Sequence, residues 1–130
     1  MNRTIEERFV QSYIVPGRRE RLLFELHGKR RSEGVGRFCH RTDELLIQSK
    51  VKLCGQYITE ELQAAVSAAK QKTCYVISYF EDLDGREIGK NEVLNLMIGR
   101  GMPSIAVFED FAILETEQES GPAVKYLLVK

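Results

Sequence analysis

Four short runs rich in β-branched and aromatic residues commit the second half of the chain to a sheet. They are CYVISYF (74–80), SIAVFE (104–109), FAILETE (111–117) and AVKYLLVK (123–130). Each has strand length and is bounded by turn residues. A sheet must bury at least one face against another layer. Two helical patterns are interleaved with these runs and can supply that layer. In ITEELQAAVSAAKQ, Leu62, Ala65, Val66 and Ala69 fall on one narrow apolar face. Thr59 is a natural cap there, and Glu60 and Glu61 suit the positive end of the dipole. In NEVLNLMIGRG, Val93, Leu94, Met97 and Ile98 point inward, with Asn91 as the cap. Gly99, Gly101 and Pro103 stop it. Asp84-Gly85 marks a turn, and ESGP joins the last two strands as a hairpin.

The first fifty residues read as helices. TIEERFVQSYI spaces Ile5, Phe9, Val10 and Tyr13 at helical intervals, capped by Asn2 or Thr4. Pro16 and Gly17 break this pattern. Leu22, Leu23 and Leu26 suit a second helix, although LLFEL alone would also suit a buried strand. Val35, Phe38 and Cys39 suggest a third, short helix. The expected fold is therefore α+β or mixed α/β. N-terminal helices precede a mixed sheet of four to five strands covered by helices, with a C-terminal antiparallel hairpin. A short strand at 51–54 would join the sheet, and the strand–helix–strand unit at 74–108 implies a right-handed parallel crossover.

A chain of 130 residues, 43% hydrophobic and 29% charged, fits one globular domain spanning 1–130. Its formal net charge is zero, so no global field draws it to nucleic acid or an anionic membrane. The charge is nonetheless segregated. Met1 to Leu53 carries twelve Lys/Arg and seven Asp/Glu, and Cys54 to Lys130 carries seven and twelve. The N-terminus is charged from its third residue, and no stretch resembles a signal peptide or a membrane span. Three widely spaced cysteines without a CxxC point to free thiols and a cytoplasmic location.

GRFCHRTDE (36–44) holds a thiol, an imidazole and two carboxylates in a short space. A Cys/His pair reacts only when the side chains converge. Neighbours in sequence diverge, by roughly 100° around a helix or to opposite faces of a strand. Phe38 and Cys39 are therefore expected inward, with Arg37, His40 and Arg41 nearer solvent. The spacing of Cys39, Cys54, Cys74, His27 and His40 matches no zinc pattern, so no metal is expected. EDLDGREIGKNE is superficially similar to a calcium loop, but Phe80 and Asn91 would occupy positions that need acids. No phosphate loop, dinucleotide fingerprint, nucleophile elbow or HExxH is present, and no cofactor is expected.

Two charged groups remain as candidates. The basic segment 18–41 contributes Arg18, Arg19, Arg21, Lys29, Arg30, Arg31, Arg37 and Arg41. Clustered arginines bind phosphate bidentately, but Glu20, Glu25 and Glu33 interrupt the run and could pair locally. The acidic set is Glu109, Asp110, Glu115 and Glu117. By strand alternation Glu115 and Glu117 share a face with Phe111 and Ile113, as at the rim of a cleft.

No motif is specific enough to name a family. The expectation is a small, soluble, non-catalytic interaction or regulatory protein, of which an inhibitor or immunity-type protein is one form. It would meet a protein partner or a second copy of itself, without a membrane. The first alternative is a nucleic-acid-associated protein using the basic segment. The second is an enzyme using Cys39 or an acidic cleft, which requires one unusually reactive thiol.

Overall fold

The computed structural model describes all residues from Met1 to Lys130. Asn2 caps the first helix, α1 (Arg3–Tyr13), by accepting the Ile5 N–H at 3.1 Å. Pro16 begins α2 (Pro16–Leu26), since a missing N–H costs nothing in the first turn. Residues 18–26 are thus helical and not a strand. Two short helices follow, α3 (Arg31–Gly36) and α4 (Thr42–Leu45). The chain continues as β1 (Val51–Gly55), α5 (Thr59–Ala68), β2 (Thr73–Ser78), β3 (Glu87–Gly89) and α6 (Lys90–Met97). It finishes with β4 (Ser104–Val107), β5 (Phe111–Glu115) and β6 (Lys125–Val129). Neither Thr59 nor Asn91 caps a helix by its side chain. Each lies inside the helix it was expected to cap.

The six strands form one sheet in the order β1-β6-β5-β4-β2-β3, antiparallel throughout. The α+β class holds, but the sheet is neither mixed nor limited to five strands. The expected parallel crossover is absent: Tyr75 pairs with Val107 and Ile77 with Ile105 in antiparallel register. The cause is β3. This three-residue strand folds back on β2 and adds one reversal of direction, so α6 returns the chain for an antiparallel β4. The ESGP turn closes β5 and β6 with Glu115 opposite Lys125, and Gly121 takes the left-handed conformation there (φ 70°).

The sheet is covered on both faces. On one face the N-terminal helices bury Phe9, Val10, Tyr13, Leu22, Leu26, Val35 and Phe38 against Tyr75, Ile77, Ile105, Val107, Leu114 and Leu128. On the other, Leu62 and Val66 of α5 and Val93, Leu94 and Met97 of α6 pack on Cys74, Val76, Ala106, Phe108, Ile113 and Leu127. Strand alternation sorts the two sets. No helix is long and apolar enough to cross a membrane.

Candidate functional site

Two arginines of the basic segment, Arg31 and Arg37, are spent on buried carboxylates. Arg31 is nearly buried and uses all five of its N–H groups. Nη1 and Nη2 clasp Glu6 at 2.8 and 2.6 Å. Nε and Nη2 clasp Asp84 at 2.6 and 2.9 Å. Nη1 also donates to the Leu26 carbonyl at 2.8 Å. Tyr75 Oη donates to Glu6 at 2.6 Å, and the Ser78 N–H donates to Asp84 at 3.0 Å. The cluster therefore rivets α1 and α3 to β2 and the turn after it. Burial opposes the Arg31 charge, but the hydrogen bonds to Glu6 and Asp84 outweigh it and hold the guanidinium protonated. Arg31 has no donor left for a ligand, so it leaves the phosphate-binding set.

Arg37 clasps the buried Glu25 through Nε at 2.5 Å and Nη2 at 2.8 Å. The Arg37 hydrogen bonds lower the Glu25 carboxyl below its ordinary range, against a smaller opposing effect of burial. Arg21 lies 3.9 Å from the same carboxylate. Arg18 stands at 4.0 Å from Glu44 and Arg30 at 3.9 Å from Glu33, both as exposed pairs. Arg19 donates to the Ile14 carbonyl. The side chains of Lys29 and Arg41 have no hydrogen bond or ion pair to protein.

The acidic set is not one surface. Glu109 and Asp110 lie in the tight connection before β5, and Glu117 lies beyond its far end. Five residues of strand separate them by roughly 17 Å. Glu115 is wholly buried and belongs to no surface. Burial raises its carboxyl, while the Gly99 N–H at 3.0 Å and the Lys125 ammonium at 3.7 Å pull it back. Glu115 lies in a row across four strands in register: Ser78, Ser104, Glu115, Lys125. The serine hydroxyls bond at 2.7 Å, and Lys125 donates to the Gln56 and Ala123 carbonyls. All four residues of the row are buried.

In GRFCHRTDE, Phe38 is buried and packs edge-on to Phe9, with centroids 6.3 Å apart. Cys39 is half-buried, and His40 and Arg41 are exposed. His40 does not address Cys39. Its Nδ1 lies 2.6 Å from Glu119 and its Nε2 lies 3.0 Å from Glu117. Both contacts are hydrogen bonds only when both ring nitrogens carry protons. Cys39 is pushed above the ordinary thiol range, first by burial and then by the charges of Glu117 and Glu119. Burial likewise raises Cys54, and it raises Cys74 to about 12. These environments favour thiol over thiolate, the reverse of what a nucleophile needs.

The donor atoms of His40, Glu117 and Glu119 lie within 4.8 Å of one another, close enough to converge on a cation. A cation there would have to replace the contacts of His40 with Glu117 and Glu119. Around this group the end of the molecule is polar and uneven. Gln56 donates to the Ser120 and Pro122 carbonyls, fixing the loop after β1 against the β5–β6 turn. Tyr57, on that loop, is 77% exposed. A cavity of about 290 Å³ lies between the Cys39–Asp43 turn and the β5–β6 turn, with His40, Glu117 and Glu119 in its wall.

Two features escaped the sequence reading. Glu6 and Glu25 are buried carboxylates, and each occupies a core position of its helix. The spacing Glu6, Phe9, Val10, Tyr13 and the spacing Leu22, Glu25, Leu26 carried that signal. Tyr57 carried none. No protein-family model, curated protein or solved structure matches this chain.

Proposed function

We propose that this is a small non-catalytic interaction or regulatory protein whose partner-binding face is the end formed by Tyr57, His40 and the β5–β6 turn. One observation carries the reading. Tyr57 stands in solvent on a loop that Gln56 pins to the β5–β6 turn, and Glu117 and Glu119 of that turn contact His40. An exposed aromatic next to a polar turn is the composition that anchors protein interfaces. The raised thiols and the buried Glu115–Lys125 pair support a binding role over thiol or acid–base chemistry at those groups. The partner is another protein or a second copy of this chain, and an inhibitor or immunity-type role is one form of the first. Arg31 and Arg37 are committed to buried carboxylates, which weakens the support for a nucleic-acid role.

The test compares wild type with Tyr57→Ala, Glu119→Lys and, as a remote control, Phe24→Ala. Self-association is read by sedimentation velocity, and heterologous partners by quantitative cross-linking in the source cell. The expected result is one shared partner, lost or weakened at least tenfold by the first two variants and retained by the control. A partner indifferent to Tyr57 and Glu119 would overturn the assignment of this face.

A further inference from the structure

A second concavity lies behind His40, over the end of α3. It measures about 430 Å³, within the range of small-molecule sites. Three arginines from three segments line it: Arg18 from α2, Arg37 from the end of α3 and Arg41 from the turn before α4. Its floor includes Gly36, where an added Cβ would meet nothing within 4 Å, so the space above that backbone is open. Leu45 is the sole apolar residue in the lining.

The three arginines differ in a useful way. Arg37 is held by the buried Glu25 through Nε and Nη2, leaving Nη1 without a protein partner. Its fork is thus fixed before any ligand arrives. The Arg41 side chain makes no hydrogen bond or ion pair, and the Arg18 side chain has only a 4.0 Å contact with the exposed Glu44. One oriented guanidinium and two adjustable ones suit a doubly charged oxyanion, which accepts several bidentate hydrogen bonds. Glu33 and Glu44 also line the wall. Their carboxylates accept hydrogen bonds and would repel a bare polyanion, so the rest of the ligand should bring hydroxyl donors. With one apolar residue, the wall offers no platform for a base or an acyl chain.

We propose that this cavity binds a small polyhydroxylated phosphomonoester, its phosphate on Arg18, Arg37 and Arg41 and its hydroxyls on Glu33 and Glu44. The site shares His40 with the proposed partner face but not Tyr57, Glu117 or Glu119, so variants at those residues tell the two apart.

Calorimetric titration at low salt tests this, with ribose 5-phosphate as the probe and ribose and inorganic phosphate as comparators. The expected result is saturable binding of ribose 5-phosphate, at least about tenfold tighter than either comparator. Arg41→Ala and Arg18→Ala, both at exposed positions, should each weaken it about tenfold or more with unchanged thermal melting. Tyr57→Ala should leave it intact, so failure of this site and failure of the partner face are separable. Absence of saturation by about 10 mM would overturn the proposal. Equal affinity for inorganic phosphate would overturn the hydroxyl component, and indifference to both arginine variants would overturn the location. An oligonucleotide that binds tighter than the sugar phosphate, dependent on Arg41, would overturn the small-ligand class in favour of nucleic acid.

Discussion

Replacing Arg31 by Ala should damage the fold more than removing any other arginine. Glu6 is wholly buried, and Arg31 supplies two of the charge-assisted hydrogen bonds that make its ionised form tolerable there. After the change Glu6 keeps Tyr75 Oη, and His27 Nε2 stands 3.5 Å away. Asp84 keeps the Ser78 N–H. Breaking a buried ion pair from one side costs about 3–5 kcal/mol, because the remaining charge stays desolvated. For a domain of this size that corresponds to a fall in Tm of roughly 10–20 °C. It is also a large share of a total stability of about 5–15 kcal/mol. Urea and thermal unfolding followed by circular dichroism measure the loss. The double variant Glu6→Gln/Arg31→Met should recover part of it, since no uncompensated charge is then left beside Tyr75. A loss below about 1 kcal/mol for Arg31→Ala would refute the reasoning and place the cluster among solvated surface pairs.

Arg37→Ala should cost about 1–3 kcal/mol at neutral pH through Glu25. Because Arg37 lowers the Glu25 carboxyl in the folded state, that stability is present above its ordinary value of 4.5 and is lost as pH falls through the lower folded value. The gap between wild type and variant should therefore narrow below about pH 4.5 in acid unfolding curves, and a constant gap would count against the linkage. Alkylation by iodoacetamide at pH 7 should follow exposure, with Cys54 first, Cys39 slower and Cys74 protected until unfolding. A thiol that outpaces a free cysteine would reopen the enzymatic reading. Gly99→Ala and Gly101→Ala should each cost about 1–2 kcal/mol in thermal melts, since both hold φ of 88°. Unchanged melting would mean the 99–103 connection relaxes freely.

The sheet was legible because β2, β4, β5 and β6 are continuous apolar runs buried on both faces. The layer of helices was legible from the spacing of Phe9, Val10 and Tyr13 and of Leu62 and Val66. The direction of β4 was not, because Glu87–Gly89 is too short and too polar to announce a strand. Yet that segment sets the parity of everything after it. Charge patterning failed for a different reason. Sequence gives the number of arginines and carboxylates, but Arg31 meets Asp84 at a sequence separation of 53. Helical spacing did place Glu6 and Glu25 on apolar faces, and a carboxylate in such a position implies a cation brought from elsewhere.

The strand order has a kinetic consequence. β1 sits at an edge with β6 as its sole neighbour, and Gly55 is seventy positions from its partner Lys125. The chain between them, which holds α5, β2, β3, α6, β4 and β5, must be made before β1 has its partner strand. A growing chain therefore carries Val51, Leu53 and Cys54 as an unsatisfied strand for most of its synthesis. Such non-local closure slows folding and leaves the waiting strand open to other edges. Lys52 and the irregular register between Val51 and Leu53 are the features that discourage such mispairing in the interval.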